Sequence, residues 1–183
     1  MAFPSVSHIF VTIIHDFSYM NDENIHVTTD SITVSTHGKD EFPPAHTAEH
    51  ILNATMVRMF GCERSRVNHI ERKKSKCNYH LSSCPTTEQI QAVEQQVNAI
   101  IAQDLPVYCR MVPRSEIPSS IDLSKLPDDA DEVLRLVYVG DYDICPCAGA
   151  HIEHTALIGH FRISSTSFND GNFRIVFRID LPV

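Results

Sequence analysis

His46 and His50 stand four residues apart in PPAHTAEHILNATMVRMFG, with Glu49 between them. Imidazoles at i and i+4 share one face of an α-helix and form a grip for a metal ion. Far downstream, in ICPCAGAHIEHTALIGHF, Cys147 and His151 are spaced C-x-x-x-H, and Gly149 with two alanines leaves room for close approach. A thiolate beside imidazoles is a donor set that favours zinc. Alone, each pair has a plainer reading: a solvated helix end, and a buried thiol near a surface histidine. Two ligand-spaced pairs in one small domain point instead to a site for one Zn2+ ion built from His46, His50, Cys147 and His151. Cys145 and His154 compete as ligands, but neither has a partner at a matching spacing.

The elements that must position these residues can be read from periodicity. Pro43 and Pro44 stop the chain, and Pro44 can precede a first helical turn but not sit inside one. Ile51, Leu52, Thr55, Met56, Met59 and Phe60 recur at helical spacing, with Gly61 as a stop, which predicts an amphipathic helix over about 45–60. SKCNYHLSS alternates weakly and reads as a strand. A second helix is expected over about 87–103, opened by a Thr86/Gln89 capping box and striped by Ile90, Val93, Val97, Ile100 and Ile101. LPVYCRMVP and EVLRLVYVGDYD read as strands. The Pro- and Ser-rich stretch between them reads as an irregular connection with one helical turn. Asn169-Asp170-Gly171 joins two final strands as a hairpin.

Helices and antiparallel strands alternate without a βαβ repeat, so the expected class is α+β: an antiparallel sheet packed with two main helices. The metal site would lie between the N-terminal turn of the first helix and a loop. HIFVTIIH and NIHVTTDSITVST are rich in β-branched residues, so residues 1–42 are expected to form a short β appendage to a domain over 43–183. The appendage is a candidate for dimerisation, and hence for a homo-oligomer.

A chain of 183 residues, 43% hydrophobic, can bury a real core. No apolar run is long enough to span a bilayer, and MAFPSVSHIFVTIIHDF lacks the basic start and cleavage site of a signal peptide. The expectation is a cytoplasmic protein with no membrane partner, whose six cysteines are thiols or metal ligands. A net charge of −8 argues against bulk attraction to nucleic acid. Charge is uneven, however: Arg64, Arg66, Arg72, Lys73, Lys74 and Lys76 cluster against Glu63 and Glu71, while Asp128, Asp129, Asp131 and Glu132 form an acidic knot. Such a basic run is commonly a solvated edge, and it could also meet a phosphate backbone.

H-x-x-x-H on a helix, a distant C-x-x-x-H, and the tail Thr155, Ile158, Gly159, Phe161 and Ile163 in T-x-x-I-G-x-F-x-I order resemble the editing domain shared by alanyl- and threonyl-tRNA synthetases and free-standing AlaX proteins. The resemblance covers Ala45 to Val183. It implies a zinc-dependent, trans-acting deacylase that cleaves the ester of serine or glycine mischarged on alanine tRNA. Glu49 and His69 are then candidates for the general base. The basic run, with Arg162, Arg174 and Arg178, is a candidate for contact with the tRNA acceptor end.

The chain departs from the family pattern in three places. SRVNHIERKKSK replaces the Gln-containing motif after the first helix, the usual C-x-G-T-H becomes Cys147-Ala148-Gly149-Ala150-His151, and no glycine-rich G-G-G-Q motif precedes the helix. Four protein ligands also make a closed tetrahedral set, which by default is structural. Two other readings therefore stand beside the deacylase: a non-catalytic, zinc-stabilised module that binds tRNA or protein, and an H-x-x-E-H zinc peptidase. The peptidase should recruit a downstream carboxylate as third ligand.

Overall fold

A computed structural model of the chain describes residues 42–65, 68–119, 121, 123 and 131–182. The chain divides into two units, Met1–His37 and Gly38–Val183, and the described residues belong to the second. The β appendage expected over 1–42, and any part it plays in dimerisation, lies outside the described residues except for Phe42.

Helix α1 (Pro43–Phe60) opens with both prolines in its first turn, where a missing N–H leaves no bond unmade. It closes on Gly61, whose φ of 63° suits glycine and whose N–H reaches the Val57 carbonyl at 2.9 Å. Every residue from Thr47 to Met56 is buried, so α1 is surrounded by protein for most of its length. The expected amphipathic stripe is thus a central helix, and it fails at the last turn, where Val57 and Met59 emerge to 38% and 41% exposure. Helix α2 (Thr87–Ile101) begins with the expected capping box and buries Val93, Val97, Ile100 and Ile101. It ends two residues short of the expected boundary.

The strands form two antiparallel sheets rather than one. β1 (Asn68–His69), β2 (Ser75–His80), β6 (His160–Asn169) and β7 (Asn172–Asp180) make a four-stranded sheet in the order β1-β2-β7-β6. Its inner face contributes Cys77, Tyr79, Phe161, Phe173, Ile175 and Phe177 to the core that encloses Ile51, Leu52 and Val97. Truncating Leu52 to alanine there would cost about 2–5 kcal/mol. The β6–β7 turn has Asp170 at φ 49° and Gly171 at φ 78°, two successive positive values that explain the Asp-Gly pair.

β3 (Val107–Pro113), β4 (Val133–Val139) and β5 (Asp143–Pro146) make the second sheet, in that order. The single strand expected over 132–143 is therefore two strands. Gly140, at φ 52°, turns the chain back and sends β5 antiparallel to β4. This reversal carries Asp143 to α1 and delivers Cys147 immediately after β5. The connection after β3 holds a 3₁₀ turn, Arg114–Glu116, and a second one, Thr155–Ile158, precedes β6. No helix among the described residues is long and apolar enough to cross a membrane.

Candidate metal centre

The first turns of α1 present His46 and His50, and the loop after β5 presents Cys147 and His151. One donor atom from each of these four residues lies within 4.8 Å of the others. Cys147 Sγ is 3.4 Å from His46 Nε2, and the His151 ring sits 4.2 Å and 4.6 Å, centroid to centroid, from the His46 and His50 rings.

Hydrogen bonds on the far side of two rings decide which nitrogen faces the cluster. The Thr47 hydroxyl donates to the Pro43 carbonyl at 3.0 Å, so its oxygen accepts from His151 Nδ1, 3.1 Å away. That tautomer aims the Nε2 lone pair inward, where the atom is buried and has no hydrogen-bond partner among the described residues. His50 Nδ1 is 3.1 Å from Asp143 Oδ2 and donates to it, which leaves its Nε2 for the cluster. An orphaned buried lone pair beside a sulfur and two more imidazoles is what a zinc ion would satisfy, and the donor set fits one.

The electrostatics of Cys147 and His151 run the same way, whereas His46 and His50 hold a proton that a metal ion would displace. Burial opposes ionisation of Cys147, but the three imidazoles around its sulfur, His151 first, outweigh it and bring the thiol down to about 3. The thiolate is the ligand form of cysteine. Burial also opposes the charged form of His50, yet the Asp143 and Cys147 hydrogen bonds raise it to about 9. His46 is raised against its burial by Cys147, whereas His151 is lowered by burial. The two competing ligands lie elsewhere. Burial pushes the Cys145 thiol up to about 11, and its Sγ donates to the Pro146 carbonyl at 3.5 Å. His154 is exposed and pairs with Asp104 at 3.4 Å.

Residues that spacing did not single out hold the loop in place. Arg135 on β4 donates through Nη1 to the Cys147 carbonyl and, at 3.0 Å, to the Gly149 carbonyl, while the Cys147 N–H returns to the Arg135 carbonyl at 3.1 Å. Gly149 lies so close to His46 that an added Cβ would run into Cε1 and Nδ1 of the ring. Behind His50, Asp143 accepts from both terminal nitrogens of Arg64, at 2.6 Å and 3.0 Å. Burial opposes the Asp143 charge, but His50 and Arg64 hold the carboxyl below its usual range.

Glu49 is buried beside the cluster. Its Oε1 accepts from the side-chain amides of Asn53 and Asn68, and its Oε2 is 4.0 Å from His46 Nε2. Asn53 Oδ1 in turn accepts from Ser65 N at 3.0 Å, and Ser65 Oγ accepts from Asn78 N at 2.9 Å, so the carboxylate is tied to β1 and β2. His69, the other candidate base, is exposed. Asn68 opposes Cys77 on the inner face and His69 opposes Lys76, so strand alternation turns His69 away from Glu49.

The described residues of the basic run have different surroundings. Arg64 is paired with Asp143, and its side chain is only 12% exposed. Arg66 lies outside the described residues. Arg72, Lys73 and Lys74 are exposed on the β1–β2 turn, with Arg72 also 5.3 Å above the Phe42 ring, and Lys76 is half-buried. Thr47 lies inside the histidine motif and could have been suspected. Asp143, Arg135 and Asn68 meet the site only through the tertiary fold.

Residues 134–176 match the family described as "Threonyl and Alanyl tRNA synthetase second additional domain". That segment contains Cys147 and His151 but not α1. Among known proteins, the chain is 29% identical over 190 residues to a Saccharomyces cerevisiae protein provisionally named alanyl-tRNA editing protein alaX, covering 94% of this chain and 41% of that one. It is 29% identical over 118 residues to the alanyl-tRNA editing protein AlaX-L of Pyrococcus horikoshii, covering 64% of this chain and 28% of that one. It is also 29% identical over 121 residues to the alanine–tRNA ligase of Idiomarina loihiensis, covering 66% of this chain and 14% of that enzyme. The chain thus spans less than half the length of each of these relatives. The matches agree with the resemblance carried by the two ligand-spaced pairs and the tail.

Proposed function

We propose that this chain is a trans-acting aminoacyl-tRNA deacylase of the cytoplasm, hydrolysing the ester of serine or glycine mischarged on alanine tRNA. In this reading His46, His50, Cys147 and His151 hold one zinc ion. The observation that carries it is the convergence of four donor atoms within 4.8 Å beside a buried carboxylate, in a chain similar to alanyl-tRNA editing proteins.

A zinc ion bound there would supply Lewis acidity toward the ester carbonyl if the carbonyl joined the four protein ligands as a fifth. The chain's own residues do the rest. Asp143 and Thr47 fix the tautomers of His50 and His151, and Arg135 and Gly149 fix the loop that carries Cys147. Asn53 and Asn68 hold Glu49 Oε1, so that Oε2 faces His46. Glu49 takes a proton from water as the water oxygen adds to the ester carbonyl carbon. It returns that proton to the ribose oxygen as the ester C–O bond breaks, which releases the amino acid and a tRNA with its hydroxyl restored. Four protein ligands make a closed set, so proton transfer falls to Glu49. Removing a positioned general base lowers a rate by roughly 10²–10⁴-fold.

A second reading, a zinc-stabilised binding module without turnover, is favoured by Ala150, which lacks the hydroxyl of the C-x-G-T-H pattern. The two separate in one assay: release of amino acid from alanine tRNA charged with serine, glycine or alanine, by metal-quantified wild type, Cys147→Ala and Glu49→Gln. The deacylase releases serine or glycine, spares alanine, and loses activity in both variants, with zinc retained in Glu49→Gln. Zinc-loaded wild type that releases nothing above Cys147→Ala is a binding module.

A further inference from the structure

The four-stranded sheet has a buried face and an open one, and their compositions differ in kind. Alternation puts Cys77, Tyr79, Phe173, Ile175 and Phe177 on the inner face, all buried. The register places Lys76, Arg174, Arg178 and Arg162 on the outer face, where the three arginines are exposed. Ser165 and Ser167 lie opposite Val176 and Arg174 on the same face. Lys73 and Lys74, on the β1–β2 turn of the same sheet, are exposed as well, whereas Arg72 lies 5.3 Å over the ring of the core residue Phe42. Among the described residues of these strands and turns, the acids set against these cations are Asp180, Glu71 and Asp170. In a chain of net charge −8, this is a local reversal of sign.

Two of these arginines are held at a cost. Arg162 and Arg178 are direct cross-strand partners, and like charges placed opposite one another destabilise a sheet. Asp180, 3.5 Å from Arg162, offsets only part of that repulsion. An anionic ligand would offset the rest. The chemistry of the face selects the kind of anion. Arginine, lysine, serine and asparagine are the side chains that bind phosphate and sugar. Single strands are held instead by stacking on aromatic rings. The aromatic residues of β2, β6 and β7 among the described residues, Tyr79, Phe161, Phe168, Phe173 and Phe177, all alternate onto the inner face. The surface therefore suits the backbone of a duplex. Arg174 to Arg178 spans about 13 Å along β7, enough to follow that backbone rather than grip one phosphate.

The same sheet touches the metal centre. β1 is its edge strand, and Asn68 on β1 donates to Glu49 while the neighbouring His69 looks outward beside Lys76. We propose that the outer face of the four-stranded sheet docks the acceptor duplex of tRNA through its phosphates, with the single-stranded end crossing β1 to reach Glu49. This deepens the deacylase reading and rests on it for the identity of the partner.

The test is equilibrium binding of uncharged tRNA and of a single-stranded RNA of equal charge, across a range of potassium chloride concentrations. The proteins are wild type, the triple variant Arg162→Gln/Arg174→Gln/Arg178→Gln, and Arg114→Gln as a control at an exposed arginine off this face. Neutralising one phosphate-binding arginine lowers the slope of log affinity against log salt by about 0.9, so the triple variant should bind with a slope smaller by about 2–3. Its zinc content should stay that of wild type and its melting temperature should not fall, since the Arg162–Arg178 repulsion is relieved, and the single strand should bind more weakly than tRNA. An unchanged slope, an equal fall in Arg114→Gln, or a single strand bound as tightly as tRNA would overturn the assignment. Because the RNA carries no ester, a smaller slope without any hydrolysis in the deacylation assay would count against the deacylase and for the surface. Hydrolysis with an unchanged slope would count the other way.

Discussion

The two halves of the metal centre are held in place by different means. His46 and His50 sit on a helix whose hydrogen bonds fix their spacing and whose buried surroundings fix the helix. One external partner, Asp143 behind His50, completes that half. Cys147 and His151 sit on a loop, and no repeating backbone pattern sets where a loop residue falls. Their positions are supplied from outside: Arg135 holds two loop carbonyls, Thr47 orients His151, and Gly149 lets the loop close on His46. Both pairs can be found by counting residues, but only on a regular element does the count also fix their geometry. A pair on a loop depends on residues that counting does not reach.

Substitutions on each side can break or sharpen this contrast. The largest effect should come from Asp143→Ala on the helix side. It removes the partner of His50 and leaves the Arg64 guanidinium, 12% exposed, without its carboxylate. Breaking a buried pair in this way costs about 3–5 kcal/mol, read as a lower denaturant midpoint at unchanged slope. A cost below about 1 kcal/mol would mean that α1 holds its histidines without help.

Next, Gly149→Ala should push the loop off the His46 ring at a cost of about 1–3 kcal/mol, seen as weaker zinc binding in competition with a chelator. Equal zinc affinity would show that the loop approaches His46 less closely than the structure has it. Arg135→Gln should follow, with zinc affinity reduced about 10–100-fold, as for other residues that orient metal ligands. Cobalt substitution offers a second readout, since a loosened Cys147 should weaken the thiolate-to-cobalt charge-transfer band. An unaltered band and affinity would make Arg135 a bystander. Thr47→Val keeps the shape of the side chain but removes the acceptor for His151 Nδ1, and should cost zinc affinity about tenfold with little change in folding stability.

The same division explains what could be read from the sequence. Helices α1 and α2, the Thr86 cap and the Asp170-Gly171 turn follow from local periodicity and turn chemistry, and the structure has all of them. The stripe on α1 misled at Met59 because a helix enclosed on all sides is not amphipathic, so burial ends where the neighbouring sheets end. Gly140 inside an apolar run was the sign of a reversal, but a run of β-branched residues reads as one strand until a partner strand is known. The basic run divides in a way its charge does not show. Charge alone cannot separate Arg64, committed to Asp143 across the fold, from Lys73 and Lys74, which are exposed. The residues around the ligands were illegible for the same reason, since Arg135, Asp143 and Asn68 carry no motif of their own. Their roles exist only once β1, β4 and β5 are packed against α1.

Zinc-edge X-ray absorption on the purified protein would measure the centre itself. One sulfur at about 2.3 Å and three nitrogens at about 2.0–2.1 Å is the result expected for His46, His50, Cys147 and His151. Two sulfurs, which would bring in Cys145, or a shell of nitrogen and oxygen alone, which would leave Cys147 out, would contradict it.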